Sequence, residues 1–370
     1  MAATLWIGTR KGLFIAHRGD SGWRLGKPHF AGEPVTQVLV DPYDGAWYAA
    51  LRLGHFGIKL RKSLDRGASW QEMAAPAFPP KPTEGPWKDD ATPWTVDQVW
   101  ALEASPDGRL WAGCLPAGLF SSRDGGASWQ LVESLWDRPE RKDWIGGGYD
   151  YAGIHSILVD PRDPSHVTVA ISCGGVWQTR DGGASWTNTS AGMVADFMPP
   201  ERREDPNIQD AHRIDQCLAQ PDVLWCQHHG GLYRSTNAGL KWEAIAAPQP
   251  SGFGFPVAAH PQDPQCAWFV PAHSDAQRMP ADGRLVVNET RDGGASFVSH
   301  GEGLPQHDAY HLIYRHALVA GKEGRTLAMG STTGGLWVSE DAGVSWRCLS
   351  RDLPPIAVLR IGGDGVQSRP

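Results

Sequence analysis

Apolar positions along this chain come in short runs, most of them too brief for a helix of ordinary length. Val35-Thr-Gln-Val-Leu-Val40 and His155-Ser-Ile-Leu-Val-Asp160 are examples, and a proline follows within two residues of each. Gly118-Leu-Phe120, Gly175-Val-Trp177, Gly231-Leu-Tyr233 and Gly335-Leu-Trp337 are shorter still. Such runs, bounded by Gly, Pro, Asp and Ser, predict strands joined by turns. The longer and shorter kinds alternate down the chain.

Behind the shorter runs stands one eight-residue phrase. It reads Ser63-Leu-Asp-Arg-Gly-Ala-Ser-Trp70, Ser122-Arg-Asp-Gly-Gly-Ala-Ser-Trp129 and Thr179-Arg-Asp-Gly-Gly-Ala-Ser-Trp186. It returns as Ser235-Thr-Asn-Ala-Gly-Leu-Lys-Trp242, Thr290-Arg-Asp-Gly-Gly-Ala-Ser-Phe297 and Ser339-Glu-Asp-Ala-Gly-Val-Ser-Trp346. Its third position recurs at intervals of 49 to 59 residues, room for four short strands with their turns. The Asp or Asn side chain is expected to accept from a backbone N–H two residues on. The glycine at the fifth position is expected to take positive φ, and the closing aromatic to plug the turn. Six copies on six hairpins argue for structure rather than catalysis.

The phrase resembles the Asp-box, or BNR repeat, of a family of β-propellers. These include sialidases, sortilin-type receptors, photosystem II assembly factors and bacterial sialidase-like proteins. The resemblance spans essentially the whole chain. It implies a propeller and leaves the activity open, because these families differ widely in what they do.

A seventh hairpin of the same kind begins at Lys11-Gly-Leu-Phe-Ile15 and ends in a decayed phrase, Asp20-Ser-Gly-Trp23. The longer runs supply innermost strands beginning near Val35, Val99, His155, His212, Phe255 and Tyr310. The segment Pro355–Ile361 is expected to join the N-terminal hairpin and close the ring, removing exposed sheet edges. The prediction is an all-β protein: residues 1–370 as a single seven-bladed β-propeller of four-stranded antiparallel blades. Length alone suggests about two domains, and the repeats overrule it.

Charged residues are 20% of the chain and the net charge is -7, without a basic run, which argues against nucleic acid as a partner. No apolar run is long enough to span a bilayer. The N-terminal segment lacks the pattern of a secretion signal, so a cytoplasmic location is expected. The six cysteines include no CxxC pair and read as reduced, buried thiols.

Blade topology places the phrase on turns between the third and fourth strands, opposite the face where the innermost strands begin. Long insertions at residues 71–98, 131–153, 187–211, 243–254, 271–283 and 298–309 fall on that second, upper face. Binding usually resides on such loops. Histidines collect there: His155 and His212 at innermost-strand starts, His228 and His229 in one loop, and His311 beside Tyr310. His155, His212 and Glu103 are the candidate catalytic groups. Arg10, Trp100, Arg213, His229, Arg278 and Tyr310 are candidates for binding a small polar or glycan-like ligand.

Two readings of the histidines stand side by side. In one, His155, His212 and His228 or His229 hold a divalent metal such as zinc or iron, with Glu103 or His311 as a further ligand. In the other they hydrogen-bond one another, water or a polar ligand without metal. The sialidases of the resembling family carry an arginine triad and an early Arg-Ile-Pro motif. No Arg-Ile-Pro occurs here and the triad finds no match, which argues against exo-sialidase activity. A retaining glycosidase needs two carboxylates about 5–5.5 Å apart, and Glu103, Asp97, Asp150 and Asp210 lie on the correct face. The chain therefore reads as a hydrolase or lyase on a small polar or glycan-like substrate. The alternative is a non-catalytic scaffold with a protein partner.

Overall fold

A computed structural model describes residues 3–363. Seven four-stranded antiparallel sheets form a ring, a seven-bladed β-propeller. Blades 2 to 7 begin with the innermost strands Val35–Val40, Gln98–Ala104, Ile154–Asp160, Ala211–Gln216, Gly254–Ala259 and Leu318–Ala320. Blade 1 takes its innermost strand, Ile356–Gly363, from the other end of the described chain. It runs antiparallel to Ala3–Thr9, with Ile361 opposite Leu5 and Leu359 opposite Ile7. All four of these side chains pack in the apolar layers between blades. Fully buried indoles from several blades, among them Trp111, Trp177, Trp225, Trp268 and Trp337, fill those layers.

The recurring phrase folds into the same turn each time. In the copy at 179–186, Thr179 Oγ1 donates to Asp181 Oδ1 at 2.7 Å and accepts the Gly183 N–H at 2.9 Å. Asp181 then accepts both the Ser185 N–H, at 2.9 Å, and the Ser185 hydroxyl, at 2.6 Å. The aspartate reaches four residues ahead rather than the expected two, because the turn is wider than a simple Asx turn. Gly183 has φ +95°, as expected, and the residue before it, Gly182, is left-handed too.

The turn also latches neighbouring blades, which the repeat by itself does not reveal. In four of the copies the carbonyl at the fourth position accepts a side-chain bond from the preceding blade. Tyr48 reaches Gly125 O at 3.1 Å, Arg109 reaches Gly182 O at 2.6 Å and Trp268 reaches Ala342 O at 2.9 Å. Gln178 likewise donates to Ala238 O at 2.5 Å. The left-handed fourth residue turns its carbonyl outward to be met.

Blade 7 departs from the expected register. Its innermost strand is Leu318–Ala320, and the segment 310–315 is irregular chain leading into it. The Ala317 carbonyl accepts from the Gly330 N–H, which puts Ala317 at the level of Ser156 in blade 4. His316, not Tyr310 or His311, is therefore the counterpart of His155. The apolar pair Leu312 and Ile313, taken for strand, packs instead as buried loop residues.

Candidate functional site

The innermost strands share an irregularity at the upper end. Pairing with the second strand skips a position between Val35 and Gln37, Val99 and Ala101, Ile154 and Ser156, and Ala211 and Arg213. Between Gly254 and Val257 it skips Phe255 and Pro256. A bulge bends the strand and re-aims the extra side chain. Thr36, Trp100, His155, His212 and Phe255 are the re-aimed residues, so the candidates Trp100, His155 and His212 do share one level of the ring.

Asp210, just before the strand of His212, forms the centre of a cluster. Its Oδ2 lies 3.3 Å from His212 Nε2 and 3.5 Å from His229 Nδ1. Its Oδ1 accepts the Cys173 N–H at 3.3 Å. His229 lies on the loop after Leu224–His228, and its N–H donates to the Asp210 carbonyl at 2.9 Å. One hairpin thus carries all three groups. Gly147 passes so close that a Cβ there would sit 3.1 Å from Asp210 Oδ1. The insertion before blade 4 therefore covers the carboxylate with bare backbone.

The aromatic walls are tight. His212 stacks on Phe255 with ring centres 4.6 Å apart, and His229 meets Phe197 edge-on at 4.8 Å. Burial opposes ionisation of Asp210. The charges and hydrogen bonds of His212 and His229, with the Arg315 guanidinium, outweigh it and hold this carboxyl well below the usual carboxylate range. Burial lowers His212, while for His229 the Asp210 carboxylate overcomes burial and raises it. Asp210 is thus held as an anion, and of its two imidazole neighbours His229 holds a proton the more readily.

His155 and Arg315 form a second group at the same mouth. The His155 ring is fully buried, edge-on to Trp100 at 5.5 Å, with Nδ1 3.0 Å from the Ser156 hydroxyl. Among the described residues, its Nε2 has no hydrogen-bond partner, and neither have Nε and Nη2 of Arg315, a residue only 5% exposed. The Arg315 guanidinium lies 4.9 Å from the Trp100 ring centre and 5.4 Å from that of Phe255. Burying a charged donor without a partner costs several kcal/mol (about 3–5), so these atoms are the groups at the mouth that gain most from a new hydrogen bond. Burial, and then the Arg315 charge, hold the His155 imidazole neutral.

The remaining candidates fall into different places. Both ring nitrogens of His228 face main-chain N–H groups, of Asp210 at 3.1 Å and Gly230 at 3.0 Å. A neutral ring accepts at only one nitrogen, so one of these contacts is the hydrogen bond, and both nitrogens face main chain rather than the cluster; burial pushes the His228 pKa down to about 3. His155, His212 and His228 therefore do not converge as one ligand set: His212 joins Asp210 and His229 instead. Arg278 belongs to the mouth, bound to Asp275 at 2.6 Å and 5.6 Å from the Phe255 ring centre. Arg213 and Glu103 point down the channel. Arg213 lies 3.4 Å from the His155 carbonyl, and Glu103 is paired with Arg360 of the closing strand. That pairing occupies Glu103 as a structural ion pair.

Tyr310 is 64% exposed and His311 is held by the Thr333 hydroxyl at 2.5 Å, both outside the strand register expected for them. Arg10 is exposed on the loop between Ala3–Thr9 and Gly12–Gly19. Three mouth residues escaped the sequence reading: Arg315, His316 and Cys173. The first two were hidden by the misplaced strand of blade 7. For Cys173, no spacing links its loop to the Asp210 carboxylate it meets.

No protein-family model matches this chain. It is 24% identical over 272 residues to an oligoxyloglucan-reducing end-specific xyloglucanase of Emericella nidulans, covering 68% of this chain and 30% of that protein. It is 26% identical over 182 residues to a xyloglucanase of a Paenibacillus species, covering 49% of this chain and 15% of that one. The chain thus spans less than a third of the length of either curated relative. Among solved structures, an ancestral GH74 enzyme superposes with TM-score 0.58 at 17% identity, over 90% of this chain and 37% of that one. YCF48 from Cyanidioschyzon merolae superposes with TM-score 0.55 at 11% identity, over 87% of each chain. Both structural likenesses are likenesses of fold.

Proposed function

We propose that this propeller is a hydrolase that takes a glycan-like substrate at the mouth of its channel. The observation that carries the reading is the buried Asp210 carboxylate held between His212 and His229 beneath the upper loops. The sequence similarity to two xyloglucanases supports the choice of substrate class. Tyr149, 42% exposed and braced edge-on at 5.1 Å by the buried Trp100, offers an aromatic surface on which a sugar ring could stack. Arg315 and His155 supply unpartnered polar nitrogens for its hydroxyl or carboxylate oxygens.

In this reading the Asp210–His212–His229 cluster takes a proton from the attacking water and returns one to the departing oxygen. Asp275, whose charge reaches His229, is the nearby carboxylate available for a second role. The test is release of reducing ends from xyloglucan oligosaccharides and a broader glycan panel. Activity that falls by about 100-fold or more in Asp210→Asn supports the reading. No release and no binding across the panel overturns it.

A binding module without catalysis is the second reading. Exposed apolar side chains on the upper loops, Phe56 at 70% and Tyr310 at 64%, favour it. Glycan binding without release in the same panel would decide for it.

A further inference from the structure

We propose that Asp210, His212 and His229 form a binding site for a divalent transition-metal ion of the zinc or iron class. Their ligand atoms all lie within 4.8 Å of one another, and the two measured separations from Asp210 Oδ2 are 3.3 and 3.5 Å. Metal–ligand bonds of about 2.0–2.1 Å in tetrahedral geometry give ligand–ligand edges of roughly 3.3–3.4 Å. The side chains stand nearly where such an ion needs them.

The tautomer of His212 gives an independent reason. Its Nδ1 lies 2.6 Å from the Gly254 carbonyl, which only accepts, so Nδ1 carries the proton. On a singly protonated ring, Nε2 is then a lone pair aimed at a carboxylate oxygen. Two acceptors 3.3 Å apart repel unless a cation lies between them. That cation is a second proton or a metal ion. A histidine whose far N–H is pinned to a backbone carbonyl is the usual arrangement around a bound metal.

The surroundings fix the other ligands. Asp210 Oδ1 is held by the Cys173 N–H, leaving Oδ2 for the ion. His228 Nε2 packs 3.1 Å from the Asp210 main-chain nitrogen and so buttresses the ligand's backbone without being a ligand itself. Charges act in both directions. Arg315 disfavours a cation, while Asp275 and Asp196, whose charges reach His229, favour one. Two imidazoles with one carboxylate suit zinc or ferrous iron better than calcium or magnesium. Three protein ligands leave a coordination position open to water, as in catalytic rather than structural sites.

This inference deepens the proposed function at the same site, but metal uptake is measured without substrate. The full chain, without a histidine tag and stripped by chelator, is titrated with Zn²⁺ by calorimetry and with Co²⁺ by visible absorption. We expect one ion per chain and Co²⁺ ligand-field bands. His229→Ala and Asp210→Asn should each weaken binding by about 100-fold or more, with thermal melts reporting that each variant folds. His311→Ala, on the same rim, should bind as the parent does. No uptake by the parent, or equal uptake by both ligand variants, overturns the site and leaves a proton as the bridging cation. Uptake without glycan turnover counts against the glycan reading alone, and turnover by metal-free protein counts against the metal alone.

Discussion

His316 Nε2 donates to the main-chain carbonyl of His155 at 2.6 Å. The two residues belong to blades 7 and 4, so the bond crosses the channel rather than joining neighbours. The His155 carbonyl also lies 3.4 Å from Arg213 Nη1. The mouth therefore has a polar floor tied together by side chains.

Removing that bond should cost stability. His316→Ala leaves a buried carbonyl with its weaker partner only, and a loss of about 1–3 kcal/mol is expected. A lower urea midpoint with unchanged slope would confirm it.

The same pair sets a pH dependence. Burial, reinforced by Arg315 at His155 and by Arg213 at His316, holds both imidazoles well below the ordinary histidine value. In the unfolded chain they take up protons near pH 6.5. Their neutral forms thus contribute stability that is full above about pH 6.5 and is lost as pH falls below it. The turn aspartates act in a separate window. Hydrogen bonds from Ser69, Ser128 and Ser296 hold Asp65, Asp124 and Asp292 at about 2. Their contribution is full above the unfolded value of about 3.9 and disappears as pH falls toward 2. Urea midpoints between pH 8 and 2 should show two descents, and His316→Ala should shrink only the upper one.

Arg315→Met should separate binding from folding. The guanidinium is buried with Nε and Nη2 unpartnered, and replacing such a charge with an apolar side chain of similar length is often neutral or stabilising. The melting temperature should hold or rise. Affinity for the ligand at the mouth should drop by about tenfold or more, the value of a lost charged hydrogen bond. Unchanged affinity would remove Arg315 from the site.

The blade latch predicts coupling between distant residues. Arg109 of blade 3 donates to the carbonyl of Gly182, in the turn that Asp181 organises. Arg109→Met should destabilise by about 1–2 kcal/mol, and Asp181→Ala should lower the urea midpoint as well. Because they act through one turn, the double variant should lose less than the sum of the two single losses. Neither should alter ligand affinity, since the turn stands at the other end of the blades.

The ring and its closure were legible because the phrase repeats with its own chemistry, and each copy marks one hairpin. The bulged level was legible in part: Trp100, His155 and His212 follow directly from where their strands begin. Blade 7 was not, because Leu312 and Ile313 imitate a strand while packing as loop. Arg315 and His316 therefore stand at the mouth where the sequence pattern pointed to Tyr310 and His311. Asp210 was recognisable as an acid on the correct face. Its partnership with His229 depends on a contact across one hairpin, where pairing register rather than spacing decides.

The bulges carry a consequence for how such a chain changes over time. The ladder on either side of each bulge is held by backbone bonds, and the extra side chain takes no part in that pairing. Threonine, tryptophan, histidine and phenylalanine occupy the equivalent slots of blades 2 to 6. Each slot can be rewritten one residue at a time while the sheet around it stays paired. The rim then behaves as a set of exchangeable teeth on a fixed wheel, and new chemistry need not wait for a new scaffold.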